Sequence, residues 1–122
     1  MKKLLLLLAS LSLLSCGSEK KENNGTETTA TITPEETGKA IFEGKGNCYS
    51  CHRADEQSIG PAIKDISKIY KDKKGNIVSF LKEESKPIVD PDKYSLMKAN
   101  FYITKTFTDD ELKAVEAYIY SH

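Results

Sequence analysis

Cys48-Tyr49-Ser50-Cys51-His52 decides the reading of this chain. Two thiols separated by two residues can add across the two vinyl groups of one haem, and the imidazole that follows directly can then reach the iron. The pattern is therefore an attachment signal for a c-type haem. Three other uses of the same thiols stand against it. A structural zinc site takes four Cys or His ligands, yet beyond residue 16 the chain has only Cys48, Cys51, His52 and His122 to offer. A thioredoxin-like dithiol sits in a βαβ pattern, and none surrounds residues 48–52. An exported protein could close a Cys48–Cys51 disulfide, but so small a loop would stabilise little. Haem attachment is the reading these residues favour.

Outward from the motif, the local signals are helical. Thr33-Pro34-Glu35-Glu36 offers an N-cap, a proline at the first helical position and a glutamate placed for a capping box, which predicts a helix over 34–44 with Ile41 and Phe42 on one side. Ile63, Ile66 and Tyr70 recur at helical spacing, as do Ile77, Phe80 and Leu81 after Asn76, with Pro87 expected to close that element. Thr108-Asp109-Asp110-Glu111 is a second capping box with acids where the helix dipole favours them, and Leu112, Val115, Tyr118 and Ile119 form one apolar stripe running to about residue 120. Between these helices, Pro87 to Phe107 reads as a loop; Ile88-Val89 and Phe101-Tyr102-Ile103 look strand-like, but neither alternates long enough to matter. The stretch from Pro34 to His122 is 89 residues, a size at which a domain is marginal without a disulfide, a metal or similar support. A large apolar cofactor at the centre would meet that need.

Residues 1–33 have a different character. Met1-Lys2-Lys3 is a short basic start followed by an apolar run of 11 residues, Leu4 to Leu14, the shape of a secretory signal peptide and well short of the ~20 residues that span a bilayer. Leu13-Leu14-Ser15-Cys16-Gly17 resembles the lipobox of bacterial lipoproteins. That likeness implies a signal peptide over 1–15, cleavage before Cys16, and acyl chains on Cys16, each buried CH₂ of which adds about 0.8 kcal/mol to membrane attachment. From Gly17 to Thr33 only Ala30 and Ile32 are apolar, so 16–33 is expected to be a disordered membrane tether, averaging roughly 20 to 25 Å end to end. Removal of Lys2 and Lys3 would leave 16 basic against 18 acidic side chains, without the clustered basic face that nucleic acid requires. Lys71-Asp72-Lys73-Lys74 and Lys82-Glu83-Glu84 are expected to be solvated helix ends and faces.

From residue 34 to 122 the chain resembles class I, mono-haem cytochromes c. The likeness rests on Gly38 and Phe42 just before the CxxCH motif, on Gly60-Pro61 eight residues beyond His52, on Met97, and on Tyr118 in the last helix, all in the family's order. It implies an all-α, cytochrome c-like fold of three to five helices packed around one covalently bound haem c. It implies further that the Gly60-Pro61 backbone carbonyl orients the His52 ring, that Met97 is the second iron ligand beside His52, and that Tyr118 packs on the first helix. The family often has Pro beside this Met; here the neighbours are Leu96 and Lys98. His122, Lys98 and Asn100, or an open site, compete for the sixth position. Phe42, Ile59, Ile63, Ile66, Phe80, Leu81, Tyr94 and Leu96 are expected to line the pocket, and Arg53 either to pair with a propionate or acid or to be solvated.

The resemblance implies an electron-transfer protein and not an enzyme: a one-electron carrier between extracytoplasmic respiratory partners such as an oxidase, a reductase or a quinol-oxidising complex. It is expected to be monomeric, lipid-anchored on the periplasmic side of a bacterial membrane, and to bind no nucleic acid. An open-site haem protein acting as ligand sensor or peroxidase-like enzyme, and a haem-free lipoprotein with a dithiol or metal site, are the alternatives.

Overall fold

In a computed structural model of the chain, residues 31–122 are described. The expected signal peptide over 1–15 and Cys16 lie outside them, as does nearly all of the expected tether. Among the described residues there are six α-helices and no strand: α1 Pro34–Glu43, α2 Ile63–Lys73, α3 Ile77–Leu81, α4 Tyr94–Met97, α5 Phe101–Thr104 and α6 Asp109–Tyr120. A 3₁₀ turn, Lys98–Asn100, joins α4 to α5. Taken together as one irregular helix, these give five elements, inside the expected range.

Both long terminal helices start for the reason visible in the sequence. The Glu36 N–H donates to Thr33 Oγ1 at 3.2 Å and the Thr33 N–H to the Glu36 carboxylate at 2.9 Å; Thr108 and Glu111 repeat the same reciprocal pair at 3.2 and 2.9 Å. Each box satisfies two of the amide donors that a helix start leaves without partners. The residue before the second cap, Phe107, packs against the buried core to which Leu112 belongs.

α1 and α6 form the most extensive helix pair. Their close approach depends on Gly38, because a Cβ there would fall 1.9 Å from the Ala114 carbonyl oxygen. Beside it, the Phe42 and Tyr118 rings meet edge to face at 5.2 Å, so Tyr118 does pack on the first helix. Ile41, Ile63, Ile77, Leu81, Leu112, Val115 and Ile119 complete a buried core.

The middle of the chain departs from expectation in two places. α3 stops at Leu81, well before Pro87, because Glu83 turns left-handed with φ 61° and the Glu84 N–H bonds back to the Ser79 carbonyl at 2.8 Å. Pro87–Phe107 is not a plain loop but carries α4 and α5. Phe101 is buried there and packs on Phe80 at 5.4 Å and on Tyr94 at 5.9 Å, while the buried Thr104 hydroxyl donates to the Leu81 carbonyl at 2.7 Å. Phe101-Tyr102-Ile103, strand-like in composition, is therefore helical: tertiary packing outweighs local propensity.

Candidate cofactor site

The site is built from the turn that follows α1. The Gly46 N–H bonds to the Ile41 carbonyl at 2.7 Å, Asn47 is left-handed with φ 52°, and a 3₁₀ turn over Cys48–Ser50 follows, closed by the Cys51 and His52 amides on the Cys48 carbonyl at 3.1 and 3.0 Å. This folded turn brings Cys48, Cys51 and His52 together on the wall of one cavity. Both cysteines are free thiols. Burial pushes the Cys48 thiol up to about 11, against a smaller lowering by the Asn100 amide.

The His52 ring is fixed from its far side. Its Nδ1 lies 2.8 Å from the Pro61 carbonyl, which can only accept, so Nδ1 carries the hydrogen and Nε2 is left with a free lone pair. Burial holds the imidazole below its ordinary titration range, partly opposed by the bond to Pro61; the neutral form, the one that can ligate a metal, is the one favoured. Gly60 makes room for this arrangement, since a Cβ there would sit 2.5 Å from His52 Cε1. The Gly60 N–H bonds to the Cys51 carbonyl at 2.9 Å, joining the two turns.

The cavity has a volume of about 300 Å³ and walls that are mostly apolar. Of the expected lining, Phe42, Ile59, Ile66, Phe80, Leu81, Tyr94 and Leu96 are there; Ile63 is not, being buried in the helix core at 1% exposure. Tyr70, Ile77, Ile88, Val89, Ile103, Val115 and Ile119 also line it. The spacing of Val115 and Ile119 on the α6 stripe was a signal that could have found two of them. Met97 lines the cavity from α4 and Asn100 from the turn after it.

Of the other contenders, Asn100 shares the cavity wall with Met97, whereas His122 and Lys98 lie elsewhere. His122 is exposed, bonded through Nδ1 to the Tyr118 carbonyl at 3.0 Å and set against the Tyr118 ring. The Lys98 ammonium lies over the Tyr94 ring and 4.0 Å from Glu83. The Arg53 guanidinium donates to the Tyr49 carbonyl and covers the Tyr49 ring at 4.1 Å from the centroid. Among the described residues no three His, Cys, Asp or Glu side chains converge as a metal site. A large apolar cavity entered by one oriented imidazole, two thiols and one thioether fits a covalently attached haem.

Among the described residues an all-helical shell surrounds a cavity that suits a haem of the c type. The Cytochrome c family model matches residues 35–122, and the chain belongs to that family. Membership makes it a c-type cytochrome, with covalently bound haem c and an electron-carrier role. No individual curated protein matches the chain.

Proposed function

We propose that this protein carries single electrons on one haem, attached through Cys48 and Cys51 and ligated by His52 and Met97. The observation that carries the reading is the His52 imidazole, held by the Pro61 carbonyl with Nε2 free, in the wall of a cavity that Cys48, Cys51 and Met97 also line. When bound, haem iron supplies a one-electron ferric–ferrous couple. The chain's part is to keep that couple dry and fully ligated. His and Met together leave no open coordination position and raise the potential relative to two His ligands, and the apolar walls, by disfavouring the extra ferric charge, act in the same direction.

Ile59 and Leu96 line the cavity yet are 56% and 61% exposed, marking a mouth where a porphyrin edge would meet solvent. On this reading an oxidase, reductase or quinol-oxidising complex docks there briefly through a small interface, and the exposure of Ile59 and Leu96 supports it. Cleavage before Cys16 and its lipidation would hold the protein on the periplasmic face of a bacterial membrane, raising its local concentration near such partners. No helix among the described residues is long and apolar enough to cross a membrane.

The test is the absorption spectrum of the exported protein, oxidised and reduced, with Met97→Ala beside it. The wild type is expected to show a sharp ferrous spectrum, a weak near-infrared band of sulfur-ligated ferric iron, and no carbon monoxide binding at neutral pH. The variant is expected to lose the band and to bind carbon monoxide. Ready binding by the wild type would support the open-site reading instead, and a colourless product with no added mass would sink the haem reading altogether.

A further inference from the structure

The functional reading leaves Asn100 without a role, although it bridges two segments more than fifty residues apart. Its side-chain nitrogen lies 3.2 Å from the Gly46 carbonyl oxygen and 3.9 Å from Cys48 Sγ. A primary amide nitrogen carries two hydrogens, so both contacts can be made at once. Asn100 closes the 3₁₀ turn that directly follows Met97, and its side chain lines the cavity.

We propose that Asn100 is a positioning residue that latches the Met97 segment onto the Cys48 turn through the Gly46 carbonyl and the Cys48 sulfur. The proposal rests on the reading of Cys48 as an attachment point and Met97 as a ligand. In the free thiol, Cys48 Sγ also donates to the Gly46 carbonyl, at 3.4 Å. When that thiol adds across a vinyl group, the sulfur bonds to one vinyl carbon and its hydrogen passes to the other, so this donor is lost. The Asn100 amide then remains on both the carbonyl and the sulfur.

Among the described residues Cys51 has no equivalent donor. Ser50 Oγ lies 3.8 Å from Cys51 Sγ but 2.6 Å from the Asn47 carbonyl, and a hydroxyl has one hydrogen to give. That hydrogen goes to the shorter contact. The two sulfurs are therefore inequivalent, with an amide dipole pointing its positive end at the Cys48 side only. Hydrogen bonds and dipoles around a bound iron are among the levers that set its potential, and a positive end at the periphery disfavours the ferric state.

The experiment compares the haem-loaded wild type with haem-loaded Asn100→Leu, a side chain of similar size with no donor. The variant is expected to keep both covalent links by mass, to have a lower midpoint potential, and to show a shifted or weakened near-infrared sulfur band. If potential and band both match the wild type, the proposal is overturned however far thermal stability falls, because lost stability alone is what a merely structural residue would give. Should Asn100→Leu fail to accumulate, NMR of the wild-type ferrous protein decides. Slowly exchanging Asn100 amide hydrogens with dipolar contacts to the Cys48 β-hydrogens are expected, and their absence removes the latch. A wild type without haem mass would overturn both this inference and the function beneath it, whereas an unaffected Asn100→Leu touches the latch alone.

Discussion

Gly60 is small because the His52 ring occupies the space its side chain would need. Gly60→Ala puts a methyl group 2.5 Å from His52 Cε1, and the ring can yield only by giving up its 2.8 Å bond to the Pro61 carbonyl. Overpacking of this kind costs about 1 to 3 kcal/mol, and here it falls on the imidazole. The variant is therefore expected to lose stability in a denaturant titration and also to gain a high-spin component in its ferric spectrum. A loss of stability with a wild-type spectrum would show that the ring is not held from this side. In the sequence, Gly60-Pro61 was tied to His52 only through a family likeness. Asn100 was harder to see, because its partners Gly46 and Cys48 are more than fifty residues away and no local pattern connects them.

Helix starts were legible where helix stops were not. Thr33 with Glu36 and Thr108 with Glu111 are written out in adjacent residues, and both boxes form. The ends of α2 and α3 use Lys74 and Glu83 at φ 51° and 61°, where glycine is the residue a reader looks for. A non-glycine residue in this conformation costs roughly 1 to 2 kcal/mol, and glycine gives back about 0.4 to 1 kcal/mol through the freedom of the unfolded chain. Lys74→Gly is thus expected to stabilise the protein by up to about 1 kcal/mol, read as a higher denaturation midpoint; an unchanged or lower midpoint would contradict the cap assignment. Glu83 is not equivalent, since Lys98 and Lys105 both reach it and tie the end of α3 to the α4–α5 segment. The run Lys82-Glu83-Glu84 is accordingly more than a solvated face, with Lys82 also 2.6 Å from Asp109. At the start of α6, Lys45 first and then the Thr108 amide hold the Glu111 carboxyl below its ordinary range. A depressed carboxyl contributes stability above the ordinary glutamate value of about 4.3 and loses it as pH falls through the lower folded value. Glu111→Gln should therefore flatten the acid limb of the stability curve, and added salt should narrow the difference because Lys45 is exposed. An acid limb unchanged in the variant would assign the pH dependence to other carboxylates.

At the scale of the whole molecule, the core and the site share a wall. Phe42, Leu81, Val115 and Ile119 belong to the buried core and also line the cavity, so the helices pack around the cofactor position as much as against one another. For a sealed cavity the cost scales at about 24 cal/mol per Å³, so about 300 Å³ sets an upper bound of roughly 7 kcal/mol for a space that opens at Ile59 and Leu96. A domain of this length has only about 4 to 13 kcal/mol of net stability, at roughly 0.05 to 0.15 kcal/mol per residue. The two figures are comparable, and the haem is therefore expected to be a condition of folding more than a passenger. The variant with Cys48→Ala and Cys51→Ala, produced without haem, should show reduced helical circular dichroism, bind a hydrophobic dye and lack a sharp thermal transition. Capping boxes and the Gly38 crossing would still favour α1 and α6 locally, so some helix signal should persist while fixed tertiary packing does not. A cooperative transition with native helix content in that variant would mean that the α1–α6 pair and its neighbours close the core by themselves. The porphyrin would then be an addition to a finished fold, and the shared wall of core and cavity would carry no energetic weight.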